Sequence, residues 1–99
     1  MGRSVANGLL VLNYAPSADG EPHFGFITGK KVGGAVIRNR VKRRLREQLR
    51  RYHEGARLRP GLDIVVVARS EGGRASGAQL REALDELLTR AHLWQKEEE

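Results

Sequence analysis

Cysteine is absent from the 99 residues, so the chain can form neither disulfides nor thiolate metal sites, and its composition suits a reducing compartment. No apolar run approaches the roughly 20 residues that span a membrane. The N-terminus lacks the basic region and apolar core of a signal peptide, so an unprocessed cytoplasmic protein without a membrane partner is expected. Groupings for protein-based catalysis are also missing. His23, His53 and His92 lie on separate stretches without metal-ligand spacing. Asp63 is a lone acid entering an apolar run, expected to bond nearby backbone or an arginine. Gly33-Gly34 lacks the spacing of a phosphate loop. No catalytic residue, metal ligand or cofactor site is expected in the chain itself.

Acids are outnumbered, twelve against eighteen Lys and Arg, which leaves a net charge of +6 and a pI near 10.5. That balance points to a polyanionic partner. A membrane surface would require an apolar helix face with no other job, so nucleic acid is favoured. At this length one domain is expected over residues 1–99, with 95–99 as a frayed tail.

Residues 8–14 are rich in strand formers and precede Ala15-Pro16. Ser17–Pro22 reads as a turn or hairpin loop around Asp19-Gly20. His23–Thr28 reads as a second strand antiparallel to the first, with Phe24, Phe26 and Thr28 on one face and Gly25 and Ile27 on the other. Leu62–Ala68 is a third strand, and its unbroken Ile64–Val67 run predicts a central position buried on both faces. Ser76 with Gln79 forms a capping box, and Leu80, Ala83, Leu84, Leu87, Leu88 and Ala91 mark the inner face of a helix.

Between these elements lies the densest charge. From Lys30 to Arg51 the chain carries ten of its eighteen Lys and Arg residues and one acid, Glu47. Gly33 and Gly34 break the chain, and Ala35 onward reads as a helix. At about 100° per residue, Ile37, Val41, Leu45, Leu49 and Tyr52 form one apolar stripe within roughly 120°. Arg38 falls on its margin and is expected to run along the sheet surface. Nearly all the remaining surface is cationic. With no acid among Arg38–Arg46, ion pairing at i,i+4 cannot be its purpose, and an anion is the expected counterpart. The elements give an α+β two-layer sandwich, a small mixed sheet with amphipathic helices in the order strand-strand-helix-strand-helix.

Val32, Ala35, Arg38, Asn39, Arg40, Val41, Lys42, Arg43, Leu45 and Arg46 resemble the signature helix of the protein subunit of bacterial ribonuclease P, of the form A-x-x-R-N-R-x-x-R-x-x-R. The likeness extends to Ser4–Asn7, Gly25, Lys30–Gly33 and the strand near Ile64. It implies a left-handed crossover through the Arg-rich helix, against the usual hand. It also implies that an RNA subunit cleaves precursor tRNA with Mg²⁺, releasing the 5′ leader. Lys30, Lys31, Arg38, Asn39, Arg40, Lys42, Arg43 and Arg46 would then contact RNA, in a complex of one protein with one RNA subunit. The leader would cross the sheet at Val11, Asn13, Tyr14 and Ile27, with Asn13 standing where the family carries an aromatic. Family members normally begin with a further helix beside that cleft, and this chain starts just after where it would end. A structural RNA-binding protein of the ribosome is the alternative that composition alone would equally allow; the Arg-Asn-Arg spacing decides against it. A DNA-reading helix would need a preceding helix-turn-helix partner.

Overall fold

The computed structural model describes residues 2–96 and forms one four-stranded mixed sheet with two helices. In chain order the elements are β1 (Arg3–Ala6), β2 (Leu10–Pro16), β3 (His23–Thr28), α1 (Ala35–Glu54), β4 (Leu62–Ala68) and α2 (Gly77–Arg90). Short 3₁₀ turns at Lys30–Val32 and Ser70–Arg74 lead into the two helices. The sheet order is β1-β2-β4-β3. β4 is therefore central, antiparallel to β2 and parallel to β3.

Two features of the strand arrangement differ from the sequence reading. β1 is an additional edge strand, joined to β2 by a turn that Asn7 organises: its Oδ1 accepts from the amides of Leu9 at 3.1 Å and Leu10 at 2.9 Å. β2 and β3 do run in opposite directions, but β4 lies between them, so Ser17–Pro22 crosses a gap that a later strand fills rather than closing a hairpin.

Cross-strand register sorts the side chains into rows. Leu12, Val66 and Phe26 form one row of the inner face, and Tyr14, Ile64 and Phe24 form another. Both helices pack on this face. Val41, Leu45, Leu49 and Tyr52 of α1 join Leu80, Leu84, Leu87 and Leu88 of α2 in one core with Leu10, Leu12, Ile64 and Val66. This one-sided packing corrects the expectation for Ile64–Val67: Ile64 and Val66 are fully buried, whereas Val65 and Val67 are only half-buried on the other face. A continuous apolar run reads as burial on both faces, but no described element covers the second one.

The capping box forms as read, Gln79 N–H donating to Ser76 Oγ at 3.1 Å and Ser76 N–H to Gln79 Oε1 at 2.9 Å. Before α1, Gly33 has φ 151°, a conformation open mainly to glycine. Gly73 serves a different need, since a Cβ there would stand 1.9 Å from the Val32 carbonyl oxygen, so only glycine lets the two 3₁₀ turns touch. After α2 the chain turns back and Trp94 pairs with Leu58, while Gln95 N–H donates to the Arg57 carbonyl at 2.7 Å. Gln95, the first residue of the expected tail, is thus bonded back to the segment before β4; residues 97–99 lie outside the described residues.

Candidate RNA interface

α1 turns its apolar stripe to the sheet and its charge to solvent. Arg43, Arg46, Arg50 and Arg51 are exposed and Lys42 is half-buried, with Asn39 also exposed. Among the described residues the ion pairs are His23–Asp19 and Arg90–Glu86, so no carboxylate neutralises an α1 cation. Lys30 and Lys31 stand exposed on the 3₁₀ turn before the helix. The Arg-Asn-Arg triplet splits by depth. Arg38 and Arg40 are half-buried, and the Nε of each is buried without a hydrogen-bond partner among the described residues. Their stems pack while their charge stays unpaired, which suits an external acceptor. Arg46 lies over the Phe26 ring, 5.7 Å from its centroid, and so stays tethered to the sheet while its charge faces out.

The uncovered sheet face is a second surface. Its rows are Ala6–Val11–Val67–Ile27, Ser4–Asn13–Val65–Gly25 and Ala15–Asp63–His23. The middle is apolar, and Ile27 is 53% exposed. At one end a depression of about 600 Å³ has Ile27 and Val67 in its floor with Lys30, Lys31 and Arg69 around it. This brings Ile27, one of the expected leader residues, beside the lysines that precede α1. The other end carries His23, held at 2.9 Å by Asp19, whose hydrogen bond raises the His23 pKa. Asp63 does not find the backbone or arginine partner expected for it: its Oδ1 is buried without one among the described residues.

Val11, Asn13 and Ile27 therefore share the open face, but Tyr14 does not. It pairs with Ile64 in an inner-face row and packs half-buried against the core, because adjacent strand residues point to opposite faces. His53 stacks edge-on against Phe24 at 5.8 Å, a packing role. Among the described residues no three His, Asp or Glu side chains gather as a metal site. No helix among them is long and apolar enough to cross a membrane.

Sequence reading missed two exposed residues here. Val36, on the first turn of α1, is 80% exposed among the cations, and its isolated position gave no periodic signal. Arg69 joins the rim of the sheet depression through the fold alone.

Comparison with known proteins agrees with this geometry. A family profile described as Ribonuclease P matches residues 1–92. The chain is 44% identical over 97 residues to the ribonuclease P protein component of Symbiobacterium thermophilum, covering 97% of this chain and 83% of that one. It is 37% identical to the component of Caldanaerobacter subterraneus over 98% of this chain and 82% of the other. Among solved structures, the RNase P protein of Staphylococcus aureus superimposes with a TM-score of 0.84 at 28% identity, covering 95% of this chain and 84% of its own. That of Thermotoga maritima gives 0.75 at 33% identity, covering 90% and 83%. With the Arg-Asn-Arg helix, the mixed sheet and the matched profile in agreement, the chain belongs to the family of ribonuclease P protein components.

Proposed function

We propose that this chain is the RNA-binding subunit of a ribonuclease P ribonucleoprotein, acting with an RNA subunit that hydrolyses precursor tRNA and holds the Mg²⁺ ions. The observation that carries the reading is the α1 surface, where cations crowd together with no carboxylate paired to them among the described residues. Like charges at this density repel one another, and phosphates relieve that cost while releasing counterions. Arg38, Arg40, Lys42, Arg43 and Arg46, with Lys30 and Lys31, contact the sugar-phosphate backbone of the RNA subunit. Asn39 can both donate and accept at a sugar or base edge. Magnesium is assigned to the RNA.

The open sheet face receives the 5′ leader in this proposal. Its apolar strip at Val11, Val67 and Ile27 offers bases a surface away from water, and Asn13 supplies a polar contact. Lys30, Lys31 and Arg69 draw the strand's phosphates to one end. Tyr14 is withdrawn from this role because it lies on the inner face.

Reconstitution tests the proposal. The protein alone should leave precursor tRNA intact with any divalent metal, and adding the RNA subunit should give 5′ processing at low Mg²⁺. Turnover by rigorously RNA-free protein would overturn it. Tagged protein recovered from cell extract should carry ribonuclease P RNA, whereas ribosomal RNA alone would favour the ribosomal alternative.

A further inference from the structure

α1 starts where β3 ends, at one end of the sheet. At the opposite end, where β2 finishes and β4 begins, a cleft of about 340 Å³ opens beside the last turn of α2. This volume falls within the range of small-ligand sites. Leu62 and Leu93 lie in its apolar lining, Tyr14 presents an aromatic ring, and Arg3, Arg59 and His92 bring the basic groups. No acid lines it. Neither arginine belongs to an ion pair among the described residues, and Arg59 Nη1 donates to the His92 carbonyl at 3.3 Å.

His92 is a further sign. It occupies the left-handed position that closes α2, with φ 57°, its amide bonding to the Thr89 carbonyl and that of Leu93 to Leu88. Glycine is the usual residue at such a cap, because a Cβ is strained there. From that position His92 contributes to the lining of the cleft.

We infer that the cleft formed by Arg3, Tyr14, Arg59 and His92 is a second nucleotide-binding site, taking one nucleotide of a single-stranded RNA with its base against Tyr14 and its phosphate at the basic side chains. Aromatic and cationic groups on one concave surface are the pairing that single-stranded nucleic acid uses. The site lies on the helix-bearing side of the sheet, so it can be filled while the open face is occupied. The inference rests on the RNA-binding reading of the chain but not on the residues of α1.

The test is titration of the full chain with a four-nucleotide RNA, read by NMR at Tyr14 and His92, with inorganic phosphate as a parallel probe. The RNA should shift both signals, and Arg59→Ala should weaken that binding by roughly tenfold. His92→Gly should also weaken it while leaving the melting temperature unchanged or raised, because glycine relieves the cap; a purely structural His92 would show no loss. Shifts confined to α1 and the open sheet face, or unchanged affinity in both variants, would overturn the inference. Equal binding of phosphate alone would make this a simple anion cleft and overturn the nucleotide assignment. Separately, RNA-subunit affinity indifferent to Lys42→Ala and Arg43→Ala would count against the α1 reading and leave the cleft's oligonucleotide result standing.

Discussion

Tyr52 Oη on α1 donates a hydrogen bond of 2.5 Å to Asp85 Oδ1 on α2, a direct polar tie between the cationic helix and its neighbour. The same ring meets Trp94 edge-on at 4.9 Å and carries the Arg57 guanidinium 5.1 Å from its centroid. Trp94 is fixed in turn by its Nε1 donating to Thr89 Oγ1 at 2.9 Å. The C-terminal half of α1 is thus pinned to α2 and the returning chain.

Tyr52→Phe should lower stability by about 1.5–3 kcal/mol, the range for a hydrogen bond to a charged group, without changing RNA affinity where the fold is intact. Burial first, then the bond to Asp85, raises the Tyr52 pKa in the folded state. The contribution is therefore fully present below the unfolded value near 10 and lost as pH rises through the raised folded value. Denaturant melts should show the wild type losing stability in this alkaline window more steeply than the Phe variant.

Lys42→Ala and Arg43→Ala should each weaken binding to the RNA subunit while leaving the melting temperature within about 0.5 kcal/mol of wild type in stability terms, since neither side chain is in the core. The slope of log affinity against log salt should flatten by roughly 0.7–0.9 for each phosphate contact removed. Unchanged affinity with a lowered melting temperature would mean that the charges serve the fold.

Ile27→Asp places a charge on the open face at a position already 53% exposed, so the protein should fold and still bind the RNA subunit. Its preference for precursor over mature tRNA should fall, because the carboxylate meets the leader's phosphates on an apolar strip. Affinities of both tRNAs for the reconstituted holoenzyme measure this, and an unaltered preference would remove the leader from this face.

Gly73→Ala should cost about 1–3 kcal/mol, the range for forcing extra volume into a packed site, because the added carbon collides with the Val32 carbonyl. A thermal melt reads the loss. RNA binding should weaken as well if the touching 3₁₀ turns set the angle at which Lys30 and Lys31 meet the start of α1.

The elements with strong local signals were legible in the sequence. α2 and its capping box follow from apolar spacing and a Ser-Gln pair, and the stripe of α1 separates cleanly from its charge. β1 was not legible, because Arg3-Ser-Val-Ala6 has no alternation and exists as a strand only through the Asn7 turn and its pairing with β2. The central place of β4 was legible from its unbroken apolar run, but its direction relative to each neighbour, antiparallel to β2 and parallel to β3, depends on pairing between residues far apart, which a local pattern cannot register. The α1 part of the site could be read because its residues are consecutive. The cleft at Arg3, Tyr14, Arg59 and His92 could not, since four separate stretches meet there only after folding.

The central place of β4 has a consequence during synthesis. β2 and β3 share no ladder and are each paired to β4, so a ribosome-bound chain that has emerged only through α1 holds one strand pairing, β1 with β2. Its Arg-rich helix then has an apolar stripe but no complete sheet to lie on. Cooperative folding waits for Ala68 to leave the exit tunnel, and α2 must follow to fill the core. Arrested nascent chains of increasing length should therefore gain protease resistance abruptly beyond β4 rather than in steps. Until then the nascent chain is a flexible polycation, open to chance association with the RNA that surrounds it.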